Sequence, residues 1–134
     1  MRYRVGEAAR LLAVSDDTVR RWVEAGRLRS TRTASGRHEI DGVDLARLAQ
    51  ELADEAGSGE DGRARHSTRN RLRGIVTRVV RDGVMAQVDI QAGPYRVVSL
   101  ISREAADELG LEPGVVAVAS VKATNVAVEH VERA

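Results

Sequence analysis

Residues 53 to 66, Ala-Asp-Glu-Ala-Gly-Ser-Gly-Glu-Asp-Gly-Arg-Ala-Arg-His, contain no large apolar side chain and concentrate glycine and charge. A segment of this composition cannot bury enough surface to offset the entropy of ordering it, so it predicts a flexible linker. It divides the 134-residue chain into two parts, each near the lower limit of about 50 to 70 residues for independent folding. The patterning also changes across it. Apolar residues recur at helical spacing before residue 53 and alternate singly from Leu72 onward.

Neither part is rich in core material. Phe is absent, and there are one Trp and two Tyr, so any core is built from Val, Leu, Ile and Ala. With no cysteine, neither disulfides nor a thiolate metal site can help, which points to oligomerisation as the stabiliser. The amino end, Met1-Arg2-Tyr3-Arg4-Val5, has no apolar run resembling a secretory signal, and no later segment reaches membrane-spanning length. The expectation is a cytoplasmic protein without a membrane partner. The net charge of +1 excludes a bulk polycation, so contact with nucleic acid must come from how arginines cluster.

In the first part, Ala8, Ala9, Leu11 and Leu12 mark a short helix within residues 6 to 12. Ser15 is placed to cap a second helix whose first turn carries Asp16 and Asp17, with Val14 and Val19 at the positions of a hydrophobic staple. Val19, Trp22 and Val23 form the apolar face of that helix and Gly26 ends it, while Thr18, Arg20 and Arg21 point elsewhere. Arg27 to Ile40 reads as two short polar strands around an Ala-Ser-Gly turn. Asp41 then caps a third helix, with Asp44 three residues on and Leu45, Leu48 and Leu52 on its buried face. Two helices joined by a tight turn, then a wing and another helix, describe a winged helix-turn-helix.

Val5-Gly6-Glu7-Ala8-Ala9, Val14-Ser15 through Thr18-Val19-Arg20-Arg21-Trp22, Gly26-Arg27-Leu28 and Ser35-Gly36-Arg37-His38 with Ile40 resemble MerR-like and excisionase-like DNA-binding domains. The resemblance covers most of residues 1 to 52. It implies double-stranded DNA as partner, Thr18, Arg20 and Arg21 toward the major groove, and Arg32, Arg37 and His38 at the backbone or minor groove. Trp22 is assigned to the core.

In the second part the alternation of Val84, Ala86, Val88 and Ile90 joins the run Ile75 to Arg81 through Asp82-Gly83, a hairpin signal. Further strands are expected at Tyr95 to Ile101, Val115 to Lys122 and Thr124 to Val128. Ser102 caps a short helix over Arg103 to Leu109, which Gly110 stops. Five strands with one inserted helix suggest an OB-like small barrel, making the whole chain α+β. Oligonucleotide binding on such a barrel needs stacking aromatics, and this half has only Tyr95, so a small ligand fits better. Gly74 and Gly83 read as turn or bulge glycines. The three histidines, His66 included, are too scattered for a metal site.

Ser67-Thr68-Arg69-Asn70 through Arg73-Gly74, Ile101-Ser102-Arg103-Glu104 with Leu109-Gly110-Leu111, and Val121-Lys122-Ala123-Thr124-Asn125-Val126 resemble the Mop or TOBE (molbindin-like) domain of molybdate-binding proteins. That resemblance implies molybdate or tungstate as ligand, with no metal cation and no nucleotide. It also implies a pocket formed between subunits of a dimer or hexamer. A tetrahedral dianion needs convergent donors and compensating charge. Lys122, the chain's single lysine against 20 arginines, supplies one charge. Ser67, the Thr68 and Ala123 amides, Thr124 and the helix-capping Ser102 supply hydrogen bonds, and Arg69 contributes a second charge or braces the loop. The family often carries a hydroxyl residue where this chain has Ala105, which removes one donor.

The expected organisation is thus a winged helix-turn-helix over 1–52, a linker over 53–66 and a Mop/TOBE barrel over 67–134. The expected function is a non-enzymatic, oxyanion-responsive transcriptional regulator. The alternatives are an oxyanion storage or buffering protein and an excisionase-like architectural DNA binder.

Overall fold

The computed structural model describes residues 1–57 and 67–132 of the chain. They fall into two compact units, Met1–Ala64 and Arg65–Ala134. Most of the expected linker, residues 58 to 66 with His66, lies outside the described residues.

The first unit opens with a strand that the sequence did not announce, β1 (Arg2–Arg4), followed by α1 (Val5–Leu12) and α2 (Asp16–Glu24). Between the helices Ala13 takes a left-handed φ of 55°, and the Val14 amide donates to the Ala9 carbonyl at 3.0 Å, closing the turn. Ser15 caps α2 as expected, its Oγ accepting from the Thr18 amide at 3.2 Å. Strands β2 (Ser30–Arg32) and β3 (His38–Asp41) make the expected hairpin, and β1 pairs antiparallel to β3 to give the order β1-β3-β2. Asp41 caps α3 (Gly42–Gly57), accepting from the Val43 and Asp44 amides, both at 3.0 Å. This helix runs five residues beyond Leu52, into the expected linker, where Ala-Asp-Glu-Ala is good helix-forming sequence.

The core of this unit is Ala8, Ala9, Val19, Leu28, Ile40, Leu45 and Leu48, with Trp22, Val23 and Leu52 packed around it. Leu11 departs from expectation, being 61% exposed on the outer side of α1.

The second unit is a curled antiparallel half-barrel of β4 (Asn70–Arg81), β5 (Met85–Ala92), β6 (Tyr95–Ser102) and β7 (Val116–Val121), in the order β6-β5-β4-β7. Strand β4 is long because it serves two neighbours. Its first half pairs with β7 from Asn70↔Val121 to Ile75↔Val116, and its second half with β5 from Ile75↔Gln91 to Arg81↔Ala86. The changeover falls at Gly74, where an added Cβ would lie 2.3 Å from the Gln91 carbonyl oxygen. The register shift between Val76 and Arg78 is the β-bulge that accompanies the bend. Helix α4 (Arg103–Glu108) follows β6 directly, and Arg81 fixes it by donating to Asp107 Oδ1 at 3.0 Å, the Leu111 carbonyl at 2.9 Å and Glu112 Oε1 at 2.9 Å.

The strand expected over Thr124 to Val128 is not formed. Ala123–Asn125 make a 3-10 turn, closed by the Asn125 amide donating to the Lys122 carbonyl at 2.9 Å, and no strand is assigned beyond it among the described residues. The sheet stays open as a result, with β6 and β7 as edges flanking an apolar hollow of about 490 Å³ that reaches Val97, Ile101, Leu111 and Ala119. No described helix is long and apolar enough to cross a membrane.

Candidate functional site

The pairing of β4 with β7 decides which of the expected anion-binding residues meet. Asn70 stands opposite Val121, and its Nδ2 donates to the Val121 carbonyl at 3.2 Å. Ser67, Thr68 and Arg69 precede this pair and Lys122, Ala123 and Thr124 follow it, so six of the seven expected residues emerge at one end of the half-barrel. Ser67, Arg69, Lys122, Ala123 and Thr124 are exposed there and Thr68 is half-buried. The turn's own hydrogen bonds run from the Asn125 and Val126 amides, so the Ala123 and Thr124 amides are not consumed by it. Asn70 was not among the expected ligands. It ties the two segments together, and its signal was the break in alternation just before β4.

Ser102 stands apart from this cluster. It pairs with Met85, next to the Ala86↔Arg81 pair at the far end of β4, about 35 Å of strand contour from Asn70. Its Oγ is engaged as the cap of α4, accepting from the Ala105 amide at 3.1 Å, and the Arg103 amide is given to the Val84 carbonyl at 2.8 Å. Two amides of that first turn therefore have protein partners. The half-buried Ala105 contributes its backbone to this cap.

In the first unit the candidate DNA-contacting residues divide into two groups. Thr18 and Arg21 are tied to each other, Arg21 Nη2 donating to Thr18 Oγ1 at 3.1 Å, with Thr18 Oγ1 also 2.9 Å from Ser15 Oγ. Arg20, Arg37 and His38 instead border a hollow of about 380 Å³ together with Arg4, Gly6 and Asp16. His38 Nδ1 is 3.0 Å from Ser30 Oγ, and Arg32 stands opposite His38 in the β2–β3 register. Arg20 pairs with the exposed Asp17 at 3.2 Å. Arg4 was not singled out from sequence, because an arginine at the end of a three-residue strand has no pattern to mark it.

Three carboxylates are held below the usual range. Asp44 is lowered first by the Arg47 guanidinium, 2.9 Å away, and then by the Arg29 amide at 2.6 Å. Asp82, in the hairpin turn, is lowered by the Met85 and Val84 amides at 2.6 and 2.7 Å. Asp89 is lowered by Gln87 Nε2 at 3.1 Å and by Arg96, whose Nη2 lies at 2.7 Å. All three serve the fold, since none lines either cluster described above.

A helical head with an arginine-lined hollow, followed by a half-barrel with a polar, hydroxyl-bearing end, defines a protein in which a MerR-type segment precedes a TOBE domain. Residues 4–38 match the MerR family regulatory protein model, and residues 66–128 match the TOBE domain model. Among solved structures the chain is similar to a molybdate-binding protein from Sporomusa ovata, at 31% identity over 50% of this chain and 100% of that one, with a TM-score of 0.48. MopII from Clostridium pasteurianum, in an apo form, is 34% identical over 49% of this chain and 100% of its own, with a TM-score of 0.47. The cytoplasmic molybdate-binding protein ModG, with molybdate bound, is 36% identical over 51% of this chain and 49% of that chain, with a TM-score of 0.47. No curated protein sequence matches the chain.

Proposed function

We propose that this protein is an oxyanion-responsive transcriptional regulator. Its barrel, residues 67–134, takes molybdate or tungstate at subunit interfaces, and its head, residues 1–52, reads operator DNA as a winged helix-turn-helix. The observation that carries the reading is the split of the expected ligands. Ser67 to Asn70 and Lys122 to Thr124 converge at one end of β4, while Ser102 stands at the other. A pocket that uses both groups is completed by a second copy of the chain. The open sheet supports self-association, because β6 and β7 are unpaired edges and Val98, Leu100, Val116 and Val128 are exposed.

At each such pocket Lys122 supplies charge, Arg69 adds to it from the facing loop, and the Ser67 hydroxyl with the Thr68, Ala123 and Thr124 donors surrounds the oxyanion. Binding that bridges subunits changes how the heads are presented to DNA, and by linkage DNA and oxyanion affinities change reciprocally.

The test is a titration of DNA from the gene's own upstream region with the full chain, with and without molybdate, at several salt concentrations. A shift of roughly 5- to 150-fold, the usual span of allosteric coupling, is expected. Superimposable curves, with molybdate binding demonstrated by calorimetry, would leave a storage or buffering protein instead. In parallel, Lys122→Ala is expected to abolish molybdate heat while the oligomer stays intact.

A further inference from the structure

Arg4, Arg20 and Arg37 come from three different elements, β1, α2 and the residue preceding β3, yet all line one hollow of about 380 Å³ in the head. Asp16 is the one carboxylate on it, and Glu24 lies on a smaller adjoining hollow with Val5, Arg20 and His38. Gathering like charges costs free energy unless something compensates them. Among the described residues neither Arg4 nor Arg37 makes an ion pair, and Arg20 has only the solvent-exposed Asp17, a contact of the weak surface kind. Three guanidinium groups against one lining carboxylate leave a surplus of positive charge in a concave, open space.

From this we infer that the Arg4–Arg20–Arg37 hollow seats a phosphodiester of the DNA backbone, so that Arg4 and Arg20 position the head while Thr18 and Arg21 read base edges. The inference rests on the DNA reading above and reassigns one residue within it, since Arg20 moves from base reading to the backbone. Phosphate contacts fix register without reading sequence, whereas base-edge contacts discriminate. The two groups of residues already differ in how they are held. Arg21 is braced against Thr18 on the exposed flank of α2, and Arg20 borders the hollow beside the wing.

The two kinds of contact separate in salt. The full chain is titrated with a duplex that it enriches from a random pool and with a scrambled duplex, each over a range of salt. Arg4→Ala is expected to weaken both by the same factor, about tenfold for one charge-assisted contact, and to lower the slope of log affinity against log salt by about one. Arg4→Ala with Arg37→Ala lowers it by about two. Arg4→Lys keeps the slope, which separates a lost contact from lost folding, and circular dichroism melts confirm that each variant is folded. Arg21→Ala instead shrinks the ratio between the two duplexes. An unchanged slope in Arg4→Ala overturns the inference, as does a loss confined to the enriched duplex. Weaker binding of inorganic phosphate without a change in slope also overturns it, marking a free-anion pocket. If the wild-type chain binds no duplex at any salt, the DNA reading itself falls and the inference with it.

Discussion

The two units solve the same problem, a core without phenylalanine, in different ways. The head wraps three helices over a three-stranded sheet, so that Val19, Ile40 and Leu48 are fully buried with Trp22 and Leu52 packed against them. The barrel buries Val76, Val88, Ile90 and Leu111, but its sheet does not close and Val98, Leu100, Val116 and Val128 remain exposed. Helices can cover an apolar stripe from within one short chain, whereas an open sheet always leaves two edges and a face to be covered. The difference teaches that stability in the head is local, while stability in the barrel depends on what meets its edges.

The largest expected effects test that division directly. Leu48→Ala and Ile90→Ala remove comparable side chains from the two cores, each costing about 2–5 kcal/mol. Trp22 is the only tryptophan and sits in the head, so its emission follows the head alone while circular dichroism follows both units. In melts over a wide range of protein concentration, the Leu48→Ala loss in the tryptophan transition should not depend on concentration. The Ile90→Ala loss should grow on dilution, as expected where association stabilises the folded state. If both transitions ignore concentration, the barrel is self-sufficient and the contrast collapses.

A smaller effect is expected where the barrel bends. Gly74 has an ordinary negative φ, so its constraint is space alone: an added Cβ would meet the Gln91 carbonyl oxygen at 2.3 Å and Ile90 Cγ2 at 2.8 Å. Gly74→Ala must push β4 away from β5, at about 1–3 kcal/mol for an overpacked site. Gly83 has open space around it, so Gly83→Ala is the control and should be nearly neutral. Equal melting points for the two variants would show that β4 and β5 separate freely at the bend.

Legibility from sequence tracked how local the cause was. The caps at Ser15, Asp41 and Ser102 were readable, because an N-cap needs only a side chain and an amide two or three residues away. The Asp82-Gly83 hairpin was readable for the same reason. Strand β1 was not, since Arg-Tyr-Arg becomes a strand only by pairing with Ile40 and its neighbours far along the chain. Gly74 read as a bulge or turn glycine because nothing local announces an approaching carbonyl from Gln91. The expected strand over Thr124 to Val128 failed in the opposite direction: its residues suit a strand, but Ala123–Asn125 turn the chain first. For the candidate site, Ser67 to Arg69 and Lys122 to Thr124 were named from sequence, and the β4–β7 register brings them together. The remoteness of Ser102 could not be read, because it depends on which end of a long strand each neighbour occupies.

The smallest effect, and the most discriminating between units, concerns acid. Asp44 in the head is held below the usual carboxylate range by Arg47 and the Arg29 amide. In the barrel Asp82 is held down by the Met85 and Val84 amides, and Asp89 by Gln87 and Arg96. In each case the folded value lies below the unfolded one of about 3.9, so over the interval between them the unfolded chain binds more protons. Stability from these groups is therefore complete above about pH 5 and is lost as pH falls through the unfolded and then the folded values. With two such groups against one, the barrel transition should fall more steeply than the head transition between about pH 5 and pH 3. Asp44→Asn should flatten the acid limb of the Trp22 transition and leave the barrel limb unchanged, while Asp89→Asn should do the reverse. Parallel acid limbs in the wild type would mean that groups shared by both units dominate, and that the two stabilities are less separate than their cores imply.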